Sequence, residues 1–286
     1  MNPSQTNFLK TFELHLNHAL HKLEPSLLKS AMNYALLAGG KRFRPLLVHA
    51  CASETAKLED VCVLAGALEM VHTYSLVHDD LPALDNDDLR RGQPTVHKQY
   101  DEALAILAGD GLLNLAYESI LESHLTWRLQ RDALAKLAFH SGSRGMIYGQ
   151  LLDMYPDSNE LSFETLKKCY MHKTGNLFAA ALELGALLNP VHLDGHDLTL
   201  LGQKMGVVFQ IQDDYLEAIS DTKTLGKSNQ SDLNNEKTTI LNLAPLETIQ
   251  TMIEREYDAL NRAIINLPFN TQNLRELIQQ MYVRKR

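Results

Sequence analysis

The chain has 286 residues and carries 27 Lys and Arg against 35 Asp and Glu, a net charge of −8. That balance argues against a general nucleic-acid binder, which needs a broad basic face for the phosphate backbone, and 45% hydrophobic residues exclude a disordered chain. There are 51 Leu and 25 Ala against 10 Val and 11 Ile, so residues that favour helices far outnumber the β-branched residues that favour strands, and an all-α fold is expected.

In chain order, Phe8, Phe12, Leu16 and Leu20 recur at i+4, the stripe of a helix that faces a core. Gly39-Gly40 predicts the end of a second helix, because glycine tolerates the left-handed turn beyond a helix end. Apolar periodicity resumes near Pro45 and again over 57–81. The stretch 85–95 is polar, and Asn86, Gly92 and Pro94 mark it as a loop. Helical texture covers 101–153, 156–159 reads as a connection, and Ser162-Phe-Glu-Thr predicts a helix start. Helices are expected over 163–188 and 196–220, a functional or mobile polar loop over 222–236, and helix again over 238–283. No linker, repeat or low-complexity tract divides the chain, so one domain over 1–286 is expected. Cys51, Cys62 and Cys169 form no CxxC pair, which argues against a disulfide framework or thiolate zinc site and suits a reducing cytoplasm. No uninterrupted apolar run reaches the ~18 residues of a membrane span, and the N-terminus lacks the basic and apolar blocks of a signal peptide.

Two acidic clusters stand out. Asp79, Asp80, Asp85, Asp87 and Asp88 place five acids within ten residues, directly after apolar helix. Adjacent carboxylates repel unless a cation is present. At ~100° per residue, Asp85 would lie about 240° round an ideal helix from Asp79, so the two meet only where the helix ends or distorts. Pro82 supplies a reason for that. A solvated acidic turn is the alternative. In the second cluster, Asp213, Asp214 and Glu217 share one helix face at i,i+3 and i,i+4 spacing. Like charges so placed cost a helix about a few tenths of a kcal/mol per pair. Both clusters offer only hard oxygen donors, which suit Mg²⁺ held together with substrate phosphates. Neither has the His at i+3 of a di-iron bundle. Cations gather at nearby glycine turns: Lys41, Arg42 and Arg44 after Gly39-Gly40, Arg90-Arg91 before Gly92, Lys173-Thr174 before Gly175, and Lys227 after Gly226. Acid clusters beside such turns point to a phosphorylated ligand bridged by metal.

The segments GGKRFRP, HTYSLVHDDLPALDNDDLRRGQPTVH, AILAGDGLL, KTGNLF and FQIQDD, with LGK downstream, follow one another between about residues 30 and 240. In this set the chain resembles the short-chain trans-prenyl diphosphate synthases, most closely the bacterial farnesyl diphosphate synthases. The resemblance implies a single helical bundle of the isoprenoid synthase type with a deep central cavity, a homodimer, and three Mg²⁺ ions with substrate bound. By position, Asp79 and Asp85 resemble the ligands of two ions, with Asp80 supporting, and Asp213 resembles the principal ligand of a third, with Asp214 and Glu217 nearby. Lys41, Arg44, His72 and Arg91 resemble the isopentenyl diphosphate pocket. Arg90, Lys173, Thr174, Gln210 and Lys227 resemble the groups that hold the allylic diphosphate. Asp79, Asp80, Asp85, Asp213 and Lys173 are thereby the expected catalytic set.

The chemistry so implied is ionisation of an allylic diphosphate, attack by the double bond of isopentenyl diphosphate, and proton loss, with cations stabilising the leaving pyrophosphate. Tyr74 and Ser75 stand where the family gauges chain length, which implies a fifteen-carbon product. Tyr74 is about 7.5 Å along an ideal helix from Asp79 but roughly 140° round it, so its place in the channel rests on the resemblance. Glu217 departs from the Asp that usually ends the second motif. The C-terminal Arg284-Lys285-Arg286 is either a solvated tail or a cover for the diphosphates. The competing readings are a synthase with a geranyl or geranylgeranyl product, a non-catalytic regulatory subunit, a bundle metalloprotein and a terpene cyclase.

Overall fold

The structure, a computed structural model, describes residues 1–156, 162–191, 195–224 and 239–284. The expected connection beyond Pro156, most of the 222–236 loop with Lys227, and the terminal Lys285 and Arg286 lie outside the described residues. The described chain is helical apart from one two-residue ladder. It divides into two compact units, Met1–Ala138 with Ala180–His192 and Phe139–Ala179 with Leu193–Arg286.

In the first unit, α1 (Pro3–His21) is started by Asn2, whose side chain accepts from the Gln5 backbone while Gln5 reciprocates. Its expected stripe of Phe8, Phe12, Leu16 and Leu20 is buried. After α2 (Leu27–Leu36), Gly39 (φ 78°), Gly40 (φ 131°) and Arg42 (φ 46°) turn the chain through left-handed conformations into α3 (Phe43–Cys51). The central helix α4 (Leu58–Asp79) is apolar nearly all round and packs against α1, α2, α3 and α6 (Glu102–Leu121). By length and composition both α4 and α6 could cross a membrane, although isolated acids such as Glu69 and Asp110 interrupt their runs. The apolar window of α4 is 72% buried within the fold, and that of α6 only 39%.

Glu69 on α4 is buried, so it needs a partner. Arg42 provides it: Nη1 lies 2.7 Å from Glu69, Nε 2.8 Å from Glu13 on α1, and Nη2 donates to the Leu36 carbonyl at 2.9 Å. One guanidinium thus stitches the glycine turn to three helices. The 85–95 stretch is more ordered than a loop. Strands β1 (Leu89–Arg90) and β2 (Gln93–Pro94) pair antiparallel, with Leu89 opposite Pro94 and Arg90 opposite Gln93. Arg91 (φ 54°) and Gly92 (φ 78°) are both left-handed, as a two-residue type I′ hairpin requires. The short α5 (Val96–Gln99) follows, and later α7 (Trp127–Ser141).

In the second unit, α8 (Met146–Met154) and α9 (Phe163–Tyr170) precede a change of helix type. Ser162 caps α9 with Thr165 in reciprocal bonds, at the expected start. The expected continuous helix over 163–188 is instead broken by a π-helical turn, Met171–Gly175, before α10 (Asn176–Ala186). The turn is wedged between glycines. A Cβ on Gly149 of α8 would lie 2.0 Å from the Lys173 nitrogen, and one on Gly206 would lie 2.2 Å from the Gly175 Cα. Gly206 belongs to α11 (Gly195–Thr224), so α11 and the π turn meet backbone to backbone. A 3₁₀ turn (Ile240–Asn242) leads to α12 (Leu246–Ile265), which packs on α11 and on α13 (Gln272–Tyr282).

Candidate active site

The first acidic cluster begins where α4 stops. Asp80 caps the helix, and the Leu-Pro-Ala-Leu segment folds back so that the Asp85 N–H donates to the Asp79 carbonyl at 2.8 Å. The Leu84 N–H and Asn86 N–H both donate to the Leu81 carbonyl, which closes the turn. A continuous helix would hold Asp79 and Asp85 on different faces; the helix end brings them together. Asp80 behaves differently. It is buried, and Arg90 Nε lies 2.7 and 2.9 Å from its two oxygens. Burial raises the Asp80 carboxyl from its ordinary range, and the bond from Arg90 opposes that rise. Arg90, expected on the allylic diphosphate, pairs here with Asp80 through Nε and Nη2, with Asp87 a further contact at 3.5 Å.

The expected isopentenyl diphosphate set gathers about the glycine turn. Arg44 Nη1 lies 3.0 Å from His72 Nε2. A guanidinium can only donate, so Nε2 is the acceptor and the imidazole is neutral. His72 is held well below the usual histidine value, first by burial and then by Arg44, Arg91, Arg90 and Arg42. Arg91 Nη1 donates to the Gly39 carbonyl, and its guanidinium fills the space a side chain at Gly40 would need. Lys41 is exposed on the same turn. One turn before the acids, Tyr74 is buried and meets the His78 ring edge-on at 5.7 Å. Its hydroxyl has no hydrogen-bond partner, and burial pushes it up to about 12. The Ser75 hydroxyl is turned back onto the His72 carbonyl at 2.8 Å.

In the second unit, α11 carries Gln210, Asp213, Asp214 and Glu217. Asp213 is partly exposed and Glu217 exposed, while Asp214 is buried. The Asp214 oxygens accept from the Tyr170 hydroxyl, from Gln210 Nε2 at 3.3 Å and from the Ile240 N–H at 3.3 Å. Burial raises the Asp214 carboxyl and these donors oppose it. Gln210 in turn accepts from Thr174 on the π turn at 3.1 Å, and Lys173 donates to Asp153 on α8 at 2.5 Å. The π turn therefore presents Thr174 to α11 and Lys173 to α8, consistent with the frequency of such turns at functional sites. Asp153, Tyr170 and the seat of Arg284 against Asp213 are absent from the expected set. Their partners are 20, 44 and about 70 residues away in sequence, beyond any local spacing signal.

The donor set fits Mg²⁺. Every candidate ligand is a hard carboxylate oxygen, and among the described residues no three His, Cys, Asp or Glu side chains converge into a closed cage. Mg²⁺ is ordinarily held by one or two carboxylates and completed by water and substrate phosphate oxygens, which such an open set allows. In the first unit Asp79 and Asp85 are the residues that could hold it; in the second, Asp213 could, with Asp214 and Glu217 beside it.

Residues 25–281 match the family described as polyprenyl synthetase. A farnesyl diphosphate synthase of Micrococcus luteus is 41% identical over 271 residues, 93% of each chain. A chloroplastic geranylgeranyl pyrophosphate synthase of Capsicum annuum is 42% identical over 237 residues, 81% of this chain and 64% of that one. A crystal structure of a Helicobacter pylori geranyltransferase complexed with magnesium and isoprenyl diphosphate has a TM-score of 0.82 at 29% identity, covering 98% of this chain and 97% of that one. The chain belongs to the polyprenyl synthetase family of prenyltransferases.

Proposed function

We propose that this prenyltransferase condenses isopentenyl diphosphate first with dimethylallyl and then with geranyl diphosphate, giving (E,E)-farnesyl diphosphate and pyrophosphate. The turn that returns the Asp85 backbone to Asp79 carries the reading, because it sets two acidic residues at one helix end with Arg90 nearby. Bound Mg²⁺, three ions with substrate, would supply Lewis acidity toward the leaving diphosphate. Asp79 and Asp85 would hold two of the ions and Asp213 the third, Asp80 orienting Arg90 and the first cluster, Asp214 and Glu217 supporting the second. Lys173, Thr174, Gln210 and Lys227 would bind the allylic diphosphate, with Arg90 alongside. Lys41, Arg44, His72 and Arg91 would bind isopentenyl diphosphate, neutral His72 keeping Arg44 aimed. The allylic C–O bond breaks, the isopentenyl double bond attacks the carbocation, and the departing pyrophosphate takes the proton. Walls of Leu and Ala exclude water from the cation. Tyr74, with Ser75 beside it, closes the channel at fifteen carbons.

The Capsicum relative supports a second reading of the product, geranylgeranyl diphosphate. Incubating the protein with isopentenyl and dimethylallyl diphosphates and Mg²⁺, then weighing the products by mass spectrometry, separates the two. A dominant C15 product lost on chelation is expected. A C10 or C20 product keeps the chemistry and discards the chain-length account; no product from folded protein points to a regulatory subunit. We also infer a cytoplasmic homodimer, acting as one catalytic domain per chain. The inference draws on α6, an apolar helix that leaves Ile106 46% and Leu107 54% exposed, a face a second copy would cover. Sedimentation at micromolar concentration tests it. The cysteines Cys51, Cys62 and Cys169 are all buried.

A further inference from the structure

Arg284 lies two residues before Arg286, yet it occupies a built seat. Its side chain is only 9% exposed. Nη2 donates to the Phe209 carbonyl at 2.7 Å, Nε to Gln212 Oε1 at 3.3 Å, and Nη1 lies 2.7 Å from Asp213 Oδ1. The guanidinium carbon sits 3.7 Å from the Phe209 ring centroid. Gln212 is itself 4% exposed and fixed from both sides. Its Nε2 donates to the Tyr282 carbonyl at 2.8 Å, and its Oε1 accepts from the Tyr257 hydroxyl at 2.6 Å. The last turn of the chain is thus tied to α11 at residues 209, 212 and 213, within one unit.

A surface arginine on a carboxylate is worth little, because two long side chains must be held still against solvent. Here an aromatic face, a carbonyl and a buried amide already hold the guanidinium, so the ion pair with Asp213 costs little further order. With Nη1 on Oδ1, a divalent cation arriving at Asp213 meets a positive guanidinium at close range, and the two repel. We propose that Arg284 is a positioning residue for the second carboxylate cluster, holding Asp213 with a counter-ion against which an arriving divalent cation must compete. The inference rests on Asp213 being a metal ligand. Its consequence is that the charge of Asp213 is partly neutralised beforehand, so the cluster takes a cation weakly alone and firmly only when diphosphate oxygens share the coordination.

The test is Mn²⁺ binding without diphosphate, followed by electron paramagnetic resonance. Asp79→Asn and Asp85→Asn in the parent protein confine the reading to the second cluster. Arg284→Gln keeps a donor for the Phe209 carbonyl but no charge, and should tighten Mn²⁺ binding about fivefold to tenfold. Arg284→Lys keeps the charge and should stay within about twofold of the parent. Arg284→Gln equal to the parent, or equal to Arg284→Lys, overturns the proposal. Adding Asp213→Asn should weaken binding and abolish the gain. If Asp213→Asn weakens binding while Arg284→Gln changes nothing, the ligand stands and the counter-ion falls; if Asp213→Asn leaves binding unchanged, the reading of Asp213 as a ligand falls first. Thermal melts check each variant. Should Arg284→Gln unfold, Phe209→Leu removes the aromatic seat alone and should tighten Mn²⁺ about twofold to threefold, no change being a refutation.

Discussion

Tyr74 carries a polar group that the fold buries and does not satisfy. A buried hydroxyl without a partner has lost its water and gained nothing, a penalty of about 1–3 kcal/mol. The side chain is therefore kept for its ring. If the ring is the floor of the prenyl channel, the hydroxyl is dispensable to product length and unfavourable to stability. Tyr74→Phe should raise the urea unfolding free energy by about 1 kcal/mol and leave the C15 product unchanged. Tyr74→Ala should lower stability by about 3 kcal/mol and shift products toward C20. A Phe variant less stable than the parent would mean that the hydroxyl is satisfied in solution; an Ala variant with unaltered products would place the floor elsewhere. The same scale shows why two of the acids differ from their neighbours. Asp80 and Asp214 are buried and surrounded by donors, whereas Asp79, Asp85, Asp213 and Glu217 keep some exposure, and sequence runs of Asp give no sign of that division.

At the scale of elements, local signals were legible and distant causes were not. The i+4 stripe of α1, the apolar α4 and the Ser162 cap are written within a few residues of where they act. So are the two acid clusters and the glycine turn, which is why the candidate site could be drawn from motifs. The hairpin at 89–94 has only Arg91-Gly92 as its local mark, and Arg is an unusual first residue for that turn. The π turn has no local mark at all. It follows from backbone contact with Gly149 and Gly206, more than twenty residues away on either side. That origin makes a prediction. A Cβ on Gly206 meets backbone at 2.2 Å, so Gly206→Ala must push α11 off the π turn. We expect about 1–3 kcal/mol of destabilisation by thermal melting. We also expect a higher KM for the allylic substrate than for isopentenyl diphosphate, because the Thr174–Gln210 bond spans that contact. A stable variant with both KM values unchanged would remove the π turn from the allylic site.

Across the whole molecule, burial sets how stability responds to acid. His15, His49, His72 and His172 are all held below the ordinary histidine value, in each case first by desolvation. For His72, four surrounding guanidinium groups add to the effect. A histidine depressed in the folded state is neutral there while the unfolded chain binds the proton. Below about pH 6.5 the unfolded state gains protons that the folded state refuses, so stability falls as pH drops and is level above that value. Asp80 and Asp214, raised by burial, act with the opposite sign at the acidic end, so the histidine contribution is read best as a difference between variants. The urea midpoint should decline from pH 7 to pH 5.5, and His72→Gln should decline less steeply. Overall charge cannot mimic the result. The chain carries −8 at pH 7 with a pI of about 5.8, so acidification toward the pI relieves self-repulsion and would by itself stabilise the fold. A midpoint that rises across the window, or a His72→Gln slope equal to the parent's, would mean that these imidazoles accept protons in the folded state and that Arg44 is not held by a neutral His72.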